Sequence, residues 1–283
     1  MIFIIKYLER KNLGKIMKDL CQSYLPYSPW DNIATSRLPG IQPLENIEML
    51  FIKDDAFNGQ MSYRDYLIKE KKSEVFYLNK KSLSAAQELL EFILSILKNN
   101  SEYKIYNDRV KRPDNKIIFL NEDNPIVVAG RLVQEDLLIL NWNNSYNEHV
   151  LDGGILCFPA LWKLTEKVNK PLSRIHKPVK IYDIRVTKSV QRMFNNLKSN
   201  KPLWRANWYL YQDPELFSPL SEEFSHTTNK EFFDGDFWVR VERQTLMRLP
   251  NTESIIFGIH TYVVKKDNLQ DIQITSLKRF KSK

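Results

Sequence analysis

Glycine and cysteine are scarce in this chain: 8 glycines and 2 cysteines among 283 residues. No P-loop and no G-x-G-x-x-G occurs, so a doubly wound flavin- or nicotinamide-binding domain is excluded. Cys21 and Cys157 lie far apart, in neither C-x-x-C nor zinc-ligand spacing. That excludes a disulfide scaffold, and two isolated thiols fit a reducing, cytoplasmic setting. A G-x-S-x-G elbow and an H-E-x-x-H helix are also missing. The opening Met1-Ile2-Phe3-Ile4-Ile5 is too short for a signal-peptide core, and no apolar run approaches a membrane span. No membrane partner is expected. Nor is nucleic acid: the net charge of +8 (42 basic against 34 acidic residues) is moderate and forms no basic stripe interleaved with aromatics. Part of that excess sits in the last six residues, Lys278 to Lys283, read either as a frayed basic terminus or as a contact for an acidic partner protein.

What the chain does have is the composition of an ordinary globule, rich in aromatics, with length for one large domain or two small ones. Its organising stretch is FWVRVERQTLMRLPNTESIIFGIHTYVV, Phe237 to Val264. Two β-rich runs flank the turn-type cluster Pro250-Asn251-Thr252 and predict a hairpin. Alternation puts Phe237, Val239 and Val241 on one face and Arg240, Glu242 and Gln244 on the other. The polar row is either a solvated salt-bridge ladder or the wall of a polar pocket. In the return run Gly258, His260 and Tyr262 share a face, the glycine marking a close approach.

The rest of the chain alternates between breakers and periodic runs. Leu20 to Pro43 is rich in proline and aromatics and reads as an extended arm over the body. The next sixty residues read as helices. Ser84 with Gln87 predicts a capping box, and Leu89, Leu90, Ile93, Leu94 and Leu97 form an apolar stripe that is core rather than a partner site. Short apolar runs at Ile117–Leu120, Ile126–Ala129, Leu137–Leu140 and Ile155–Phe158 predict strands of a mostly antiparallel sheet. Glu135 and Asp136 precede one of them as a strand-start turn or as an acid/base pair. Pro159 fits the first turn of a helix carrying Leu161, Leu164 and Val168 on one face. A second helix is predicted over Lys188–Leu197, with Thr187 as N-cap. A strand follows over Leu203–Tyr211, with Arg205, Asn207 and Tyr209 on one side. Residues 212–236 read as loop.

Several blocks together resemble the haem-dependent oxidative N-demethylase family. They are R-V-E-R-Q-T-L-x-R-L-P at Arg240–Pro250 and F-x-I-x-T-Y at Phe257–Tyr262. C-F-P-x-x-W at Cys157–Trp162 is followed by I-H-x-P-V at Ile175–Val179. The proline–aromatic run with Gly40-x-x-Pro43-Leu44, and Gln134-Glu135-Asp136-Leu137, match further family blocks. The resemblance runs from about Leu25 to Val264 and implies an α+β, PAS-like, mostly antiparallel sheet with flanking helices. The domain is expected over 25–266, between an N-terminal segment 1–24 and a basic C-terminal tail 267–283. The family encloses one b-type haem and removes a methyl group oxidatively from small secondary amines. It consumes dioxygen and reducing equivalents and releases formaldehyde; the electrons come from a partner carrying flavin and an iron–sulfur centre.

The resemblance turns particular residues into candidates. The histidines are His149, His176, His226 and His260, and His176, in the I-H-x-P-V block, is the expected axial iron ligand. Cys157 is the rival donor, or a small buried hydrophobe. Arg205, Arg240 and Arg243 are candidates for the haem propionates. Glu242 is either an arginine-orienting or amine-binding carboxylate or half of a buried ion pair. Tyr262 orients oxygen or substrate, or simply packs. His260 lines the pocket, where it would titrate near neutrality, or faces solvent. The chain departs from the family at His260, where arginine is usual in I-R-T-Y, at Lys180-Ile181, where proline and glycine are usual, and at Asn169, which replaces a glycine. Two other functions share the expected fold: a haem- or ligand-binding sensor, and a haem-free scaffold subunit.

Overall fold

Alternating sequence dictates the centre of the molecule. The computed structural model describes residues 19–31, 40–177, 184–222 and 235–281. His226, Lys180, Ile181 and the first residues of the chain lie outside them. In chain order the elements are β1 (Gln42–Pro43), α1 (Phe57–Glu70), α2 (Lys72–Val75), β2 (Phe76–Leu78), α3 (Leu83–Leu97), β3 (Lys104–Ile105), β4 (Arg109–Lys111) and β5 (Ile117–Phe119). They continue with α4 (Pro125–Gly130), β6 (Asp136–Asn143), β7 (Glu148–Ile155), α5 (Leu164–Lys167), α6 (Leu172–Ile175), α7 (Ile184–Asn196), β8 (Leu203–Tyr211), β9 (Trp238–Arg248), β10 (Ile255–Lys265) and α8 (Asp271–Lys281).

The main sheet is antiparallel, in the order β1-β8-β9-β10-β6-β7-β2; β3, β4 and β5 form a small separate sheet. Numbered among themselves in chain order, the five central strands run 2-1-5-4-3, the arrangement of a PAS-like sheet. The fold is α+β, as expected from the sequence. The predicted hairpin is β9 and β10, in register from Trp238 opposite Lys265 to Arg248 opposite Ile255.

Each face of the sheet has its own cover. Leu164 of α5, Leu172 of α6, Phe194 of α7 and the adjoining Leu197 pack on Leu138, Leu140, Leu246 and Ile259; this is the α6 face. The other is the arm face. There Leu25 and Trp30 of the arm and Leu277 of α8 pack on Val239, Val241 and Val264, while α1, α3 and α4 complete the main core. Burying each such valine or leucine contributes roughly 1.5–3 kcal/mol. The arm also closes an open edge. β6 pairs with β10 only as far as Asp136 opposite Ile259. Beyond that point Gln22 takes over, its N–H donating to Val263 O at 3.1 Å and its Oε1 accepting from Val263 N at 2.7 Å.

Several local expectations are corrected. Ile126–Ala129 is helix α4, not strand: Pro125 starts the helix and Asn124 Oδ1 accepts from Ile126 N. A short run buried all round has no periodicity to tell the two apart. β7 stops at Ile155, because the Asp136 carboxylate takes the N–H groups of Cys157 and Phe158. The helix expected from Pro159 starts only at Leu164, since Leu161 stands at φ +60°. Thr187 is inside α7 rather than its cap. No Ser84–Gln87 capping box forms; α3 follows a 3-10 turn at Lys80–Ser82, and Gln87 Nε2 bonds Glu91. The expected tail is largely α8, with Leu277 fully buried.

Candidate functional site

Strand register sorts the candidate residues before any chemistry is considered. Glu242 stands opposite Asn207 and Thr261, Arg240 opposite Tyr209, and Gln244 opposite Arg205. These side chains share the α6 face. Arg243 stands opposite Ala206 and His260, and Tyr262 opposite Val241, so Arg243, His260 and Tyr262 belong to the arm face. The seven candidates therefore form two groups separated by the thickness of the sheet. The polar row on β9 is no solvated ladder: Arg240 is 1% exposed and Glu242 5%.

On the α6 face, His176 caps the C-terminus of α6. Its backbone N–H donates to Leu172 O at 3.0 Å, and its ring Nδ1 lies 2.9 Å from the same carbonyl. With Nδ1–H donating there, Nε2 is the basic nitrogen. Burial first, and then the Lys167 and Arg205 charges, pull its pKa below the usual histidine value, against the pull of Leu172 O. Lys167 Nζ secures the turn from the side, donating to Ile175 O at 2.8 Å and to Glu222 Oε1 at 2.6 Å.

Arg205 donates through Nη2 to Asn207 Oδ1 at 2.5 Å, and its buried Nε has no partner. Among the described residues no carboxylate reaches it as an ion pair. Burial lowers its pKa, against the pull of Tyr209 and Glu242. Arg240 is committed differently: Nη2 donates to Phe158 O at 2.6 Å and Nη1 to Leu216 O at 3.2 Å. Glu242 Oε1 lies 3.5 Å from Arg240 Nη2, and Glu242 Oε2 lies 3.4 Å from Gln244 Nε2. Both contacts are long, and burial pushes the Glu242 pKa up despite the arginine.

The arm face holds a different cluster. His260 is fully buried, with Nε2 2.9 Å from Asp54 Oδ2 and Nδ1 3.1 Å from Glu135 Oε1. Burial opposes its charge, but the two carboxylates outweigh burial and raise its pKa to about 9. Neither pocket-lining near-neutral titration nor solvent exposure, the two readings of this residue, describes it. Tyr262 packs its ring against His260, at 4.7 Å between centroids, and against Tyr27 of the arm. Asp136 is likewise committed: it accepts from Arg64 Nη1 at 2.8 Å in an ion pair with both side chains fully buried. Cys157 is also sealed in the core, and burial pushes its thiol up to about 12.

Over residues 40–279 the chain matches the family model described as haem-dependent oxidative N-demethylase, alpha subunit-like. The chain belongs to that family. In this haem-dependent oxidative N-demethylase, alpha subunit-like chain, the α6 face fits the group that the family name implies. A porphyrin brings four nitrogen donors of its own, so a single protein donor such as one imidazole would suffice to hold it. Accordingly, a cluster of three or more His, Cys, Asp or Glu is not required, and among the described residues none is found. Burial disfavours the charged form of His176, and the buried, unpaired Nε of Arg205 suits a carboxylate such as a propionate. Asn169, where the family has glycine, stands at φ +60°, a conformation asparagine tolerates. The departure at His260 is on the face away from His176.

The sequence missed Asp54, the partner of His260, because loop and strand are 206 residues apart. Tyr209 was legible from alternation, which places it with Arg205.

Proposed function

We propose that this chain binds haem b through His176 and acts in oxidative N-demethylation of a small secondary amine. What carries the reading is one arrangement: a histidine whose charged form burial disfavours, an arginine without an acid partner and a buried, loosely held carboxyl on the same sheet face. When bound, haem supplies the oxidising chemistry, in which a methylated amine, dioxygen, two electrons and two protons give the demethylated amine, formaldehyde and water. The protein's part is binding, orientation and proton handling. His176 would hold the iron through its imidazole, whose orientation the Leu172 O contact at Nδ1 fixes. Arg205 meets a propionate. Arg240, fixed by two backbone carbonyls, positions Glu242. Glu242 exchanges a proton at its carboxyl oxygens with the amine, or pairs with it as an ammonium.

The electrons are assigned to a partner protein carrying flavin and iron–sulfur, and the description of the family as an alpha subunit supports a multi-subunit assembly. Two cysteines far apart in the chain support a reducing, cytoplasmic location, and among the described residues no helix is long and apolar enough to cross a membrane. The test is spectroscopic and then catalytic. Purified full-length chain should show a strong Soret band at near-equal haem to protein. With a reductase and oxygen it should release formaldehyde from a methylated secondary amine. Haem-replete protein that releases none points to a sensor; protein that takes up no haem points to a scaffold.

A further inference from the structure

Four buried polar atoms on the arm face have no hydrogen-bond partner: Arg243 Nη1, Tyr27 OH, Gln42 Nε2 and Glu135 Oε2. They are neighbours. The Arg243 guanidinium lies 5.8 Å from the centre of the Trp204 ring, the Tyr27 ring lies 5.6 Å from it, and Gln42 is the register partner of Trp204. Glu135 is bonded to His260, which stands directly opposite Arg243. Arg243 is 3% exposed and Glu135 fully buried, so bulk water satisfies neither. Leaving several such groups unmet in one place is costly, and native proteins seldom do so without a ligand or bound water.

Ala206 stands opposite Arg243, and Gly258 lets Thr245 Oγ1 pack 2.6 Å from where a Cβ would sit, with Glu135 Cγ at 3.9 Å. The roof is the arm: Tyr27 stands over Trp204 and Tyr262 with both rings edge-on. We propose that this is a second binding site, for a small zwitterion of the α-amino-acid type. Arg243, Tyr27 and Gln42 take the carboxylate and Glu135 the ammonium.

The charges favour a zwitterion over either half. His260, held between Asp54 and Glu135, leaves that end of the site one negative charge in excess, and Arg243 supplies one positive charge at the other end. A dipolar ligand matches both ends. An anion alone leaves Glu135 unmet, and a cation alone leaves Arg243 unmet. Tyr27 belongs to the arm, so ligand entry requires the arm to lift. The site is on the opposite face from His176 and Glu242 and does not depend on the haem reading.

The experiment is calorimetry and thermal unfolding of the full chain with glycine, alanine and larger amino acids, beside methylamine and acetate as the separate halves. At least one amino acid is expected to bind about tenfold more tightly than either half. Tyr27→Phe should weaken it about 5- to 10-fold while leaving unfolding of the ligand-free chain unchanged, because only an unpartnered hydroxyl is lost. Glu242→Gln, on the other face, should leave this binding unaltered. The site is overturned if no amino acid binds at about 10 mM, leaving ordered water as the partner of these atoms. Binding that Tyr27→Phe and Arg243→Lys both leave unchanged would overturn it as well.

Discussion

His260 and Glu242 occupy adjacent register positions of one hairpin and face opposite sides of the sheet. His260 stands across from Arg243, and Glu242 across from Thr261. One residue of register thus separates a locked acid–histidine–acid cluster from a loosely held carboxyl. The consequences can be measured separately on each face.

His260 makes stability depend on pH in the alkaline direction. The ordinary histidine value is 6.5 and the folded value about 9, so the folded state holds its proton longer. Below about 6.5 both states are protonated and the full stabilisation is present. As pH rises towards 9 only the folded state keeps the proton, and the stabilisation is lost by the time the pH has passed the folded value. Urea unfolding between pH 6 and 10 should show a decline of the order of 3 kcal/mol, and His260→Gln should flatten it. Asp54, held below its ordinary value by His260 and two glutamines, has the opposite sign and loses its contribution as pH falls. Turnover should show no inflection from His260 between pH 5.5 and 7.5; finding one that His260→Gln abolishes would contradict this geometry.

His176→Ala should remove or strongly shift the Soret band while far-UV circular dichroism is retained. Arg205→Gln should weaken haem retention without changing the iron spectrum if Arg205 meets a propionate, as proposed. Cys157→Ser should leave the spectrum as it is. An unchanged ferric spectrum in His176→Ala would end the axial assignment.

Glu242→Gln replaces a carboxyl that burial already drives towards its neutral form. Its stability should stay within about 1 kcal/mol of the parent, while turnover drops roughly 10²- to 10⁴-fold if the group handles a proton. Arg240→Ala differs, because it abandons two backbone carbonyls and a buried partner. It should cost about 3–5 kcal/mol and also turnover. A double-mutant cycle on turnover that came out additive would mean that Arg240 does not position Glu242.

Asp136→Asn tests whether the acid beside Glu135 is structural. The change leaves Arg64 as an uncompensated buried charge and weakens the hold on Cys157 N and Phe158 N. A loss of about 3–5 kcal/mol is expected, with haem content unchanged in the protein that remains folded. A fully stable variant with lost turnover would instead make Asp136 a catalytic group.

Local pattern was enough for some of this. Period-two alternation determined β8 and both strands of the hairpin, put Arg240 with Glu242 and Arg205 with Tyr209, and set Arg243 apart, because in a strand the face follows from position alone. Family blocks brought out His176. Elsewhere local pattern failed for physical reasons: Ile126–Ala129 is buried on all sides and has no periodicity to read, and the Asn79-capped 3-10 turn at Lys80–Ser82 leads into the helix two residues before the expected cap Ser84. Which face meets which cover was decided only by the tertiary structure. Asp54, Glu135 and His260 come from three distant points of the chain, and their contact depends on the sheet order and on the loop before α1. The charge of His260 follows from that contact. Sequence shows a histidine in a strand; only two carboxylates at 2.9 and 3.1 Å, shielded from water, make it hold a proton as arginine would.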